Sequence, residues 1–308
     1  MKEVKKVLIG LVSIIVLLVV ADWVVGTWSE KMYYKSKYGM YRRQIYVMKE
    51  ANEDLLIMGS SRAAHHYVPQ IIEDSLGMTC YNAGSDGECI YYHYCLLASM
   101  IERGHTPKVV VYEVMNLDAD VSKISSFTLD AALERLAPHY GESASVDSLF
   151  ALNGWKERVK LFSKTYRYNS KLVQTIKCNY IPWPEDRGYE ALTGKMNVEL
   201  TNKGLSKSKS ASKNVPEIED GKLNYMEKFV SLCKTNNIKL VMCFSPYYQT
   251  KPSKSVFMIR DIAQRYGYPF YEFSADKDFE DPELFQDVVH LNDTGARLYT
   301  NKIIKLIK

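Results

Sequence analysis

The chain opens with an apolar run from Val7 to Ala21, set behind Lys2, Lys5 and Lys6 and followed by Asp22, Trp23 and further apolar residues up to Trp28. Continued as a helix through Trp28, this segment is just long enough to cross a bilayer core of roughly 30 Å, with Trp23 and Trp28 at the interface and Asp22 near the headgroups. The same pattern fits a cleaved signal peptide, because the uncharged run is short and Val19-Val20-Ala21 places small residues before a cut. From about Trp28 to Ala51 the pattern is polar, aromatic and helical, as a stalk would be.

Beyond Asn52, short apolar runs alternate with helical periodicity. Asp54 to Met58 reads as a buried strand with its exit turn at Gly59. Pro69 to Leu76, closed by Gly77, carries the Pro-first and Gly-last signature of a short helix. Met78 to Tyr81 is a second strand, Glu88 to Arg103 a helix that stops at Gly104, and Lys108 to Val114 a β-branched strand. Alternation with connections of this length predicts parallel strands joined by right-handed crossovers. The rhythm breaks between about Leu117 and Asp220, where amphipathic stretches such as Leu129 to Leu136 and Trp155 to Ile176 predict a helical insertion on the rim of the sheet, a cap over the site. Within it, the Ser/Lys-rich tract from Ser206 to Lys213 reads as flexible. Regularity returns with helices at Leu223 to Cys233 and Ser255 to Tyr266, strands at Ile238 to Phe244 and Phe270 to Phe273, and a closing helix from about Thr294 to Ile307. The expected organisation is an anchor or uncleaved signal over 1–28, a helical stalk over 29–51, and an α/β domain over 52–308 with an insertion at about 117–220.

Composition narrows the classes. At 308 residues, with 46% hydrophobic and 25% charged residues, the chain can bury a core as one α/β domain with an elaboration. A net charge of +4, from basic residues scattered rather than striped, argues against nucleic acid as partner. Both readings of the amino terminus put the bulk of the chain outside the cytoplasm, although Lys31, Lys35, Lys37, Arg42 and Arg43 after the span oppose that orientation on the positive-inside rule. The exported orientation is kept, because a basic stub followed at once by an apolar run is the usual export signal. The 23 tyrosines suit carbohydrate stacking and membrane proximity, while many are core residues. The six cysteines show no metal-ligand spacing and read as mostly buried thiols, with oxidation of a pair open to an exported chain. No metal-binding cluster and no Gly-rich phosphate loop stands out, so no cofactor is expected.

Three segments carry candidate chemistry. Gly59-Ser60-Ser61-Arg62 places Ser61 in a tight turn directly after the first strand, where its hydroxyl is exposed and its N–H can hold an oxyanion; a helix-cap serine would look the same in isolation. Asp287 precedes His290 by three residues, close enough for the carboxylate to hold the imidazole tautomer while the far ring nitrogen faces the serine. Taken alone, such a pair is more often a surface hydrogen bond. Asn82 to Gly87, at the end of the second strand, offers glycines for close backbone approach and an N–H into a cleft, or merely a turn. His65 and His66 follow the nucleophile as cleft-lining or structural residues, and Glu113 reads as a buried polar partner or a strand-edge charge.

Together these blocks resemble the SGNH (GDSL-like) hydrolase family. Gly59-Ser60-Ser61 is similar to its Gly-Asp-Ser block, with Ser60 in the aspartate position; Asn82, Gly84 and Gly87 meet Asn-x-Gly-x-x-Gly; Asp287 and His290 meet Asp-x-x-His. Asn116 is the only candidate for the oxyanion asparagine and lacks the preceding glycine. The resemblance implies a flavodoxin-like three-layer α/β/α sandwich with a mostly parallel sheet, a Ser61–His290–Asp287 triad, and an oxyanion hole from Ser61, Gly87 and Asn116. The Gly-Ser-Ser-Arg form behind an amino-terminal span looks like the branch containing teichoic-acid D-alanylation and alginate-acetylation proteins. That implies an extracytoplasmic, single-pass esterase or O-acyltransferase acting on acylated cell-surface glycan, beside a multi-spanning membrane O-acyltransferase. In it, Arg62 either anchors an anionic or carbonyl group of the substrate or forms a structural salt bridge. The alternative from another class is a catalytically silent glycan-binding or scaffold subunit of such a complex.

Overall fold

The computed structural model describes all residues except 123, 200 and 202–216. The Ser206 to Lys213 tract lies outside the described residues. The helices are α1 (Lys2–Tyr34), α2 (Gly39–Lys49), α3 (Ser61–His66), α4 (Pro69–Leu76), α5 (Ile90–Glu102), α6 (Leu129–Leu136), α7 (Ala144–Leu152), α8 (Trp155–Lys160), α9 (Leu172–Tyr180), α10 (Asp220–Thr235), α11 (Lys254–Arg265) and α12 (Asp293–Ile307). The strands are β1 (Leu55–Gly59), β2 (Cys80–Asn82), β3 (Val109–Glu113), β4 (Lys239–Phe244) and β5 (Phe270–Glu272). Contacts divide the chain into two compact units, residues 1–45 with 133–183, and residues 46–132 with 184–308.

In the first unit, α1 is the one helix among the described residues long and apolar enough to cross a membrane, with a mean hydropathy of 2.8 over its best window and no burial there. Length and composition suit an anchor or a signal sequence alike. Its far end is held by an aromatic knot in which Tyr33 packs with Tyr41, Ile45, Tyr168 and Cys178, and the Tyr33 hydroxyl lies 3.1 Å from His139 Nε2. The stretch Trp155 to Ile176, expected to be helical throughout, is broken between α8 and α9. Residues 163–165 leave the helix to bind Asp22 of α1, with Lys164 and Thr165 donating their N–H groups at 2.8 and 3.1 Å. Backbone donors spent on a distant carboxylate cannot also continue a helical ladder.

The second unit is an α/β/α sandwich around a five-stranded, all-parallel sheet ordered β2-β1-β3-β4-β5. The central strands are buried on both faces, which is why β1, β3 and β4 are near-continuous apolar runs instead of alternating ones. On one face Leu55, Ile57, Val109, Val111, Val241 and Cys243 pack with Tyr67, Ile72, Tyr299 and Ile303 from the side carrying α3, α4 and α12. On the other face Tyr112 meets His93 of α5 and Phe229 of α10, with ring centroids 5.9 and 5.0 Å apart. All six cysteines are buried free thiols.

Candidate active site

Ser61 is the first residue of α3, two residues past the end of β1. The turn is possible because Gly59 takes φ +135°, and a Cβ there would press against the Glu113 carbonyl oxygen at 2.6 Å. At that helix position the Ser61 N–H has no carbonyl of the preceding turn to bind.

The loop after β2 is clamped over this turn. Ala83 and Ser85 donate their N–H groups to the Ile57 and Gly59 carbonyls at 2.8 and 3.0 Å, and Asn82 Nδ2 donates to the Ala63 and Tyr67 carbonyls at 2.7 and 3.0 Å. Asn82 Oδ1 accepts from the Gly84 N–H at 2.9 Å. Position 84 has no room for a side chain, since a Cβ would collide with the backbone nitrogen of Ala64. Gly87 follows at φ +75°, a conformation that side-chain-bearing residues rarely adopt.

The Asp287–His290 segment lies directly before α12 and reaches Ser61 from the other end of the chain. His290 Nε2 is 2.8 Å from Ser61 Oγ, and His290 Nδ1 is 2.9 Å from Asp287 Oδ2 and 3.1 Å from Oδ1. Asp287 Oδ1 also accepts from the N–H groups of Val289 and His290, at 2.7 and 2.9 Å. Partial burial pushes the Asp287 pKa up, but the His290 ring and these N–H groups outweigh it and hold the carboxyl below its usual range. With Asp287 ionised, His290 carries its proton on Nδ1 and presents Nε2 as acceptor to the Ser61 hydroxyl.

Beneath the surface a second chain of bonds holds the His290 loop. The Leu291 N–H can only donate, so His66 Nε2, 2.9 Å away, must accept. His66 Nδ1 then carries the proton and donates to Ser245 Oγ at 2.8 Å, and Ser245 Oγ donates to Glu113 Oε1 at 2.8 Å. The Ser245 N–H reaches the same oxygen at 2.9 Å, and the Tyr67 hydroxyl donates to Oε2. His66 is fully buried, and desolvation together with the charges of Arg62, His290 and His65 drives its pKa well below the ordinary imidazole value. The neutral tautomer deduced from the bonds is therefore the stable one.

Arg62, expected either to anchor a substrate group or to form a structural salt bridge, forms the salt bridge. It is fully buried; its Nε donates to Glu113 Oε1 at 2.9 Å, its Nη2 binds Glu113 and the Val114 carbonyl, and its guanidinium lies 4.3 Å from the Phe244 ring centroid. Glu113, at the end of β3, is the polar partner rather than an edge charge. Ser245 carries only a faint mark in the sequence, that of a polar residue immediately after an apolar strand, at the sheet's carboxyl end. Asn116 accepts the Ser253 N–H on Oδ1 at 3.0 Å, which orients the amide and makes Nδ2 its donor end.

His65 stands edge-on to His290, with ring centroids 5.5 Å apart. Its Nδ1 lies 2.8 Å from the Glu190 carbonyl and its Nε2 is 3.3 Å from Asp86. Burial lowers its pKa, but Asp86 and the Glu190 carbonyl overcompensate and raise it. His65, Asp86 and Glu190 bring ligand atoms within 4.8 Å of one another, a grouping of the kind that can hold a cation and that sequence spacing did not reveal.

No family model matches the chain, and no curated protein matches it. Solved structures similar to it include a provisionally assigned acylhydrolase from Bacteroides fragilis NCTC 9343, at 14% identity and TM-score 0.40 over 87% of this chain and 95% of that one. Another is an acetyl xylan esterase, at 13% identity and TM-score 0.40 over 82% of this chain and 100% of that one.

Proposed function

We propose that the chain is a serine enzyme of acyl-ester chemistry, an esterase or O-acyltransferase acting at a membrane on acylated cell-surface glycan. The observation that carries this reading is the unbroken hydrogen-bonded series Asp287, His290, Ser61, assembled from opposite ends of the sequence at 2.9 and 2.8 Å. His290 Nε2 takes the Ser61 proton as Oγ attacks the ester carbonyl, and Asp287 stabilises the imidazolium that forms. The Ser61 and Gly87 N–H groups and Asn116 Nδ2 are the donors for the developing oxyanion. His290 then protonates the departing alcohol, leaving an acyl group on Ser61 Oγ. Water or a glycan hydroxyl resolves it by the reverse sequence, with His290 as base. The tyrosine-rich composition and the apolar helix α1 support a surface glycan as substrate, and a multi-spanning O-acyltransferase is the partner proposed for the transfer reaction.

The test is labelling by a fluorophosphonate probe together with turnover of aryl and glycan acetates. Wild type should be labelled and Ser61→Ala should not, while Asp287→Asn should keep its fold and lose kcat by about 10³- to 10⁴-fold through the wrong imidazole tautomer. Release of free acid marks an esterase, and an acylated acceptor marks a transferase. Absence of label on folded wild-type protein would sink the enzyme reading and leave a glycan-binding or scaffold role.

A further inference from the structure

A carboxylate sits where the apolar surface of α1 has not yet ended. Beyond Asp22, the helix still exposes Trp23, Val24, Val25 and Trp28, and at 1.5 Å per residue Trp28 lies about 9 Å further along the axis. Asp22 is covered by the loop following α8: Ser163 Oγ donates to Oδ1 at 2.5 Å, the Lys164 N–H to Oδ2 at 2.8 Å and the Thr165 N–H to Oδ1 at 3.1 Å. Thr165 Oγ1 also donates to the Asp22 carbonyl at 3.0 Å. Gly26 fixes the same loop by lacking a side chain, since a Cβ there would stand 2.6 Å from Lys164 Cβ. Residues 163–165 are thus pinned at the depth of residues 22–26, below the outer tryptophan of the helix.

What the loop shows at that depth is apolar. Phe162, next to Ser163, is 85% exposed; Trp155 and Val159, on the same face of α8 by helical spacing, are 64% and 50% exposed. Together with Tyr140 they line an open hollow of about 340 Å³ whose other walls include Arg158 and Arg167. An aromatic face, a shallow apolar hollow and flanking guanidinium groups match the boundary between phosphate and acyl chain in a bilayer.

We propose that α8 and the loop after it form a foot immersed in the bilayer interface beside α1, with Phe162, Val159 and Trp155 among the upper acyl carbons and Arg158 at the phosphates. The proposal rests on α1 residing in the membrane. Given that, Phe162 stands at the headgroup boundary and not in bulk water, because the loop bonded to Asp22 must share the depth of that residue. The foot fixes the orientation of the first unit on the membrane, which a single helix free to tilt and rotate does not.

The experiment uses the full chain in nanodiscs of phosphatidylcholine and phosphatidylglycerol whose acyl chains carry bromine close to the glycerol. The contribution of Trp155 to fluorescence is isolated by difference from Trp155→Phe, and that of the helix tryptophans by difference from W23F/W28F. The expected result is a roughly twofold or greater loss of the Trp155 emission in brominated lipid, comparable to that of Trp23 and Trp28. Quenched Trp23 and Trp28 with unquenched Trp155 would overturn the foot while leaving α1 in the bilayer. If all three remain unquenched, α1 is not membrane-resident and the foot falls with it.

Discussion

At the scale of single residues, the proposed site separates partly exposed groups from the buried groups that hold them. Ser61 and His290 are partly exposed and face each other, whereas Arg62 and Glu113 are buried and satisfy one another. A buried guanidinium and carboxylate are costly to separate, because the survivor is left as an unpaired charge, so Arg62 belongs to the frame of the site and not to its mouth. His66 illustrates a positioning residue most clearly. It touches neither Ser61 nor Asp287, but its Nε2 holds the backbone of Leu291, the residue after the proposed base His290. His66→Leu should remove that acceptor and lower kcat by roughly 10- to 100-fold with KM little changed, since a base displaced by about 1 Å loses alignment and not substrate affinity. His66→Gln, which can still accept from Leu291 and donate to Ser245, should recover most of the loss. Steady-state kinetics on the two variants, with circular dichroism to verify the fold, decide the matter; equal losses would show that His66 acts only through packing.

At the scale of elements, the site is where loops at the carboxyl ends of β1, β2 and β4 converge with the segment before α12. The pattern Asn82-x-Gly84 has a local reason apart from any family likeness: Asn82 ties β2 to the carbonyls of α3 and Tyr67, and Gly84 lets the loop lie against the Ala63–Ala64 backbone. Gly84→Ala inserts a methyl where the backbone of α3 already stands. It should cost about 1 to 3 kcal/mol, typical of overpacking, and should weaken probe labelling at Ser61 by shifting α3. Urea unfolding of the variant beside wild type measures the first effect, and unchanged stability would contradict the packing described. The break between α8 and α9 has a similar origin, because Asp22 recruits the backbone of residues 163–165 out of the helix.

At the scale of the whole molecule, the response to acid is a sum of opposed terms. His93 is fully buried between α5 and β3, and desolvation lowers its pKa to about 3. Its folded value lies below the unfolded one, so its contribution to stability is present above about pH 6.5 and is lost as pH falls, because the unfolded chain takes up a proton that the fold refuses. Asp118 works in reverse. Desolvation raises its pKa to about 7 against the Met115 N–H and the charges of Lys222 and Arg62, so the fold holds a proton the unfolded chain lacks, and stability from this group is lost as pH rises through 7. Between pH 7.5 and 5.5, His93→Phe should therefore gain about 1 kcal/mol relative to wild type, and Asp118→Asn should lose about 2 kcal/mol relative to wild type. Chemical denaturation at the two pH values tests both, and shifts of the same sign would refute the assignment.

Much of this was legible in the linear order of residues. Runs such as Leu55-Leu56-Ile57-Met58 and Val109-Val110-Val111 announce parallel strands buried on both faces, and a proline at the start with a glycine past the end delimits α4, because these are local constraints of backbone and burial. The apolar helix α1, Ser61 after a strand and the Asp287–His290 spacing are local as well. What sequence left undecided depends on residues far apart in number. Whether Arg62 faces substrate or Glu113, why His66 matters and that Ser245 matters at all depend on β3 and β4 lying side by side, and the split of Trp155 to Ile176 depends on Asp22 arriving from a different helix. A side chain's partner is fixed by the free energy of burying it beside that partner, and only the folded chain brings the two together.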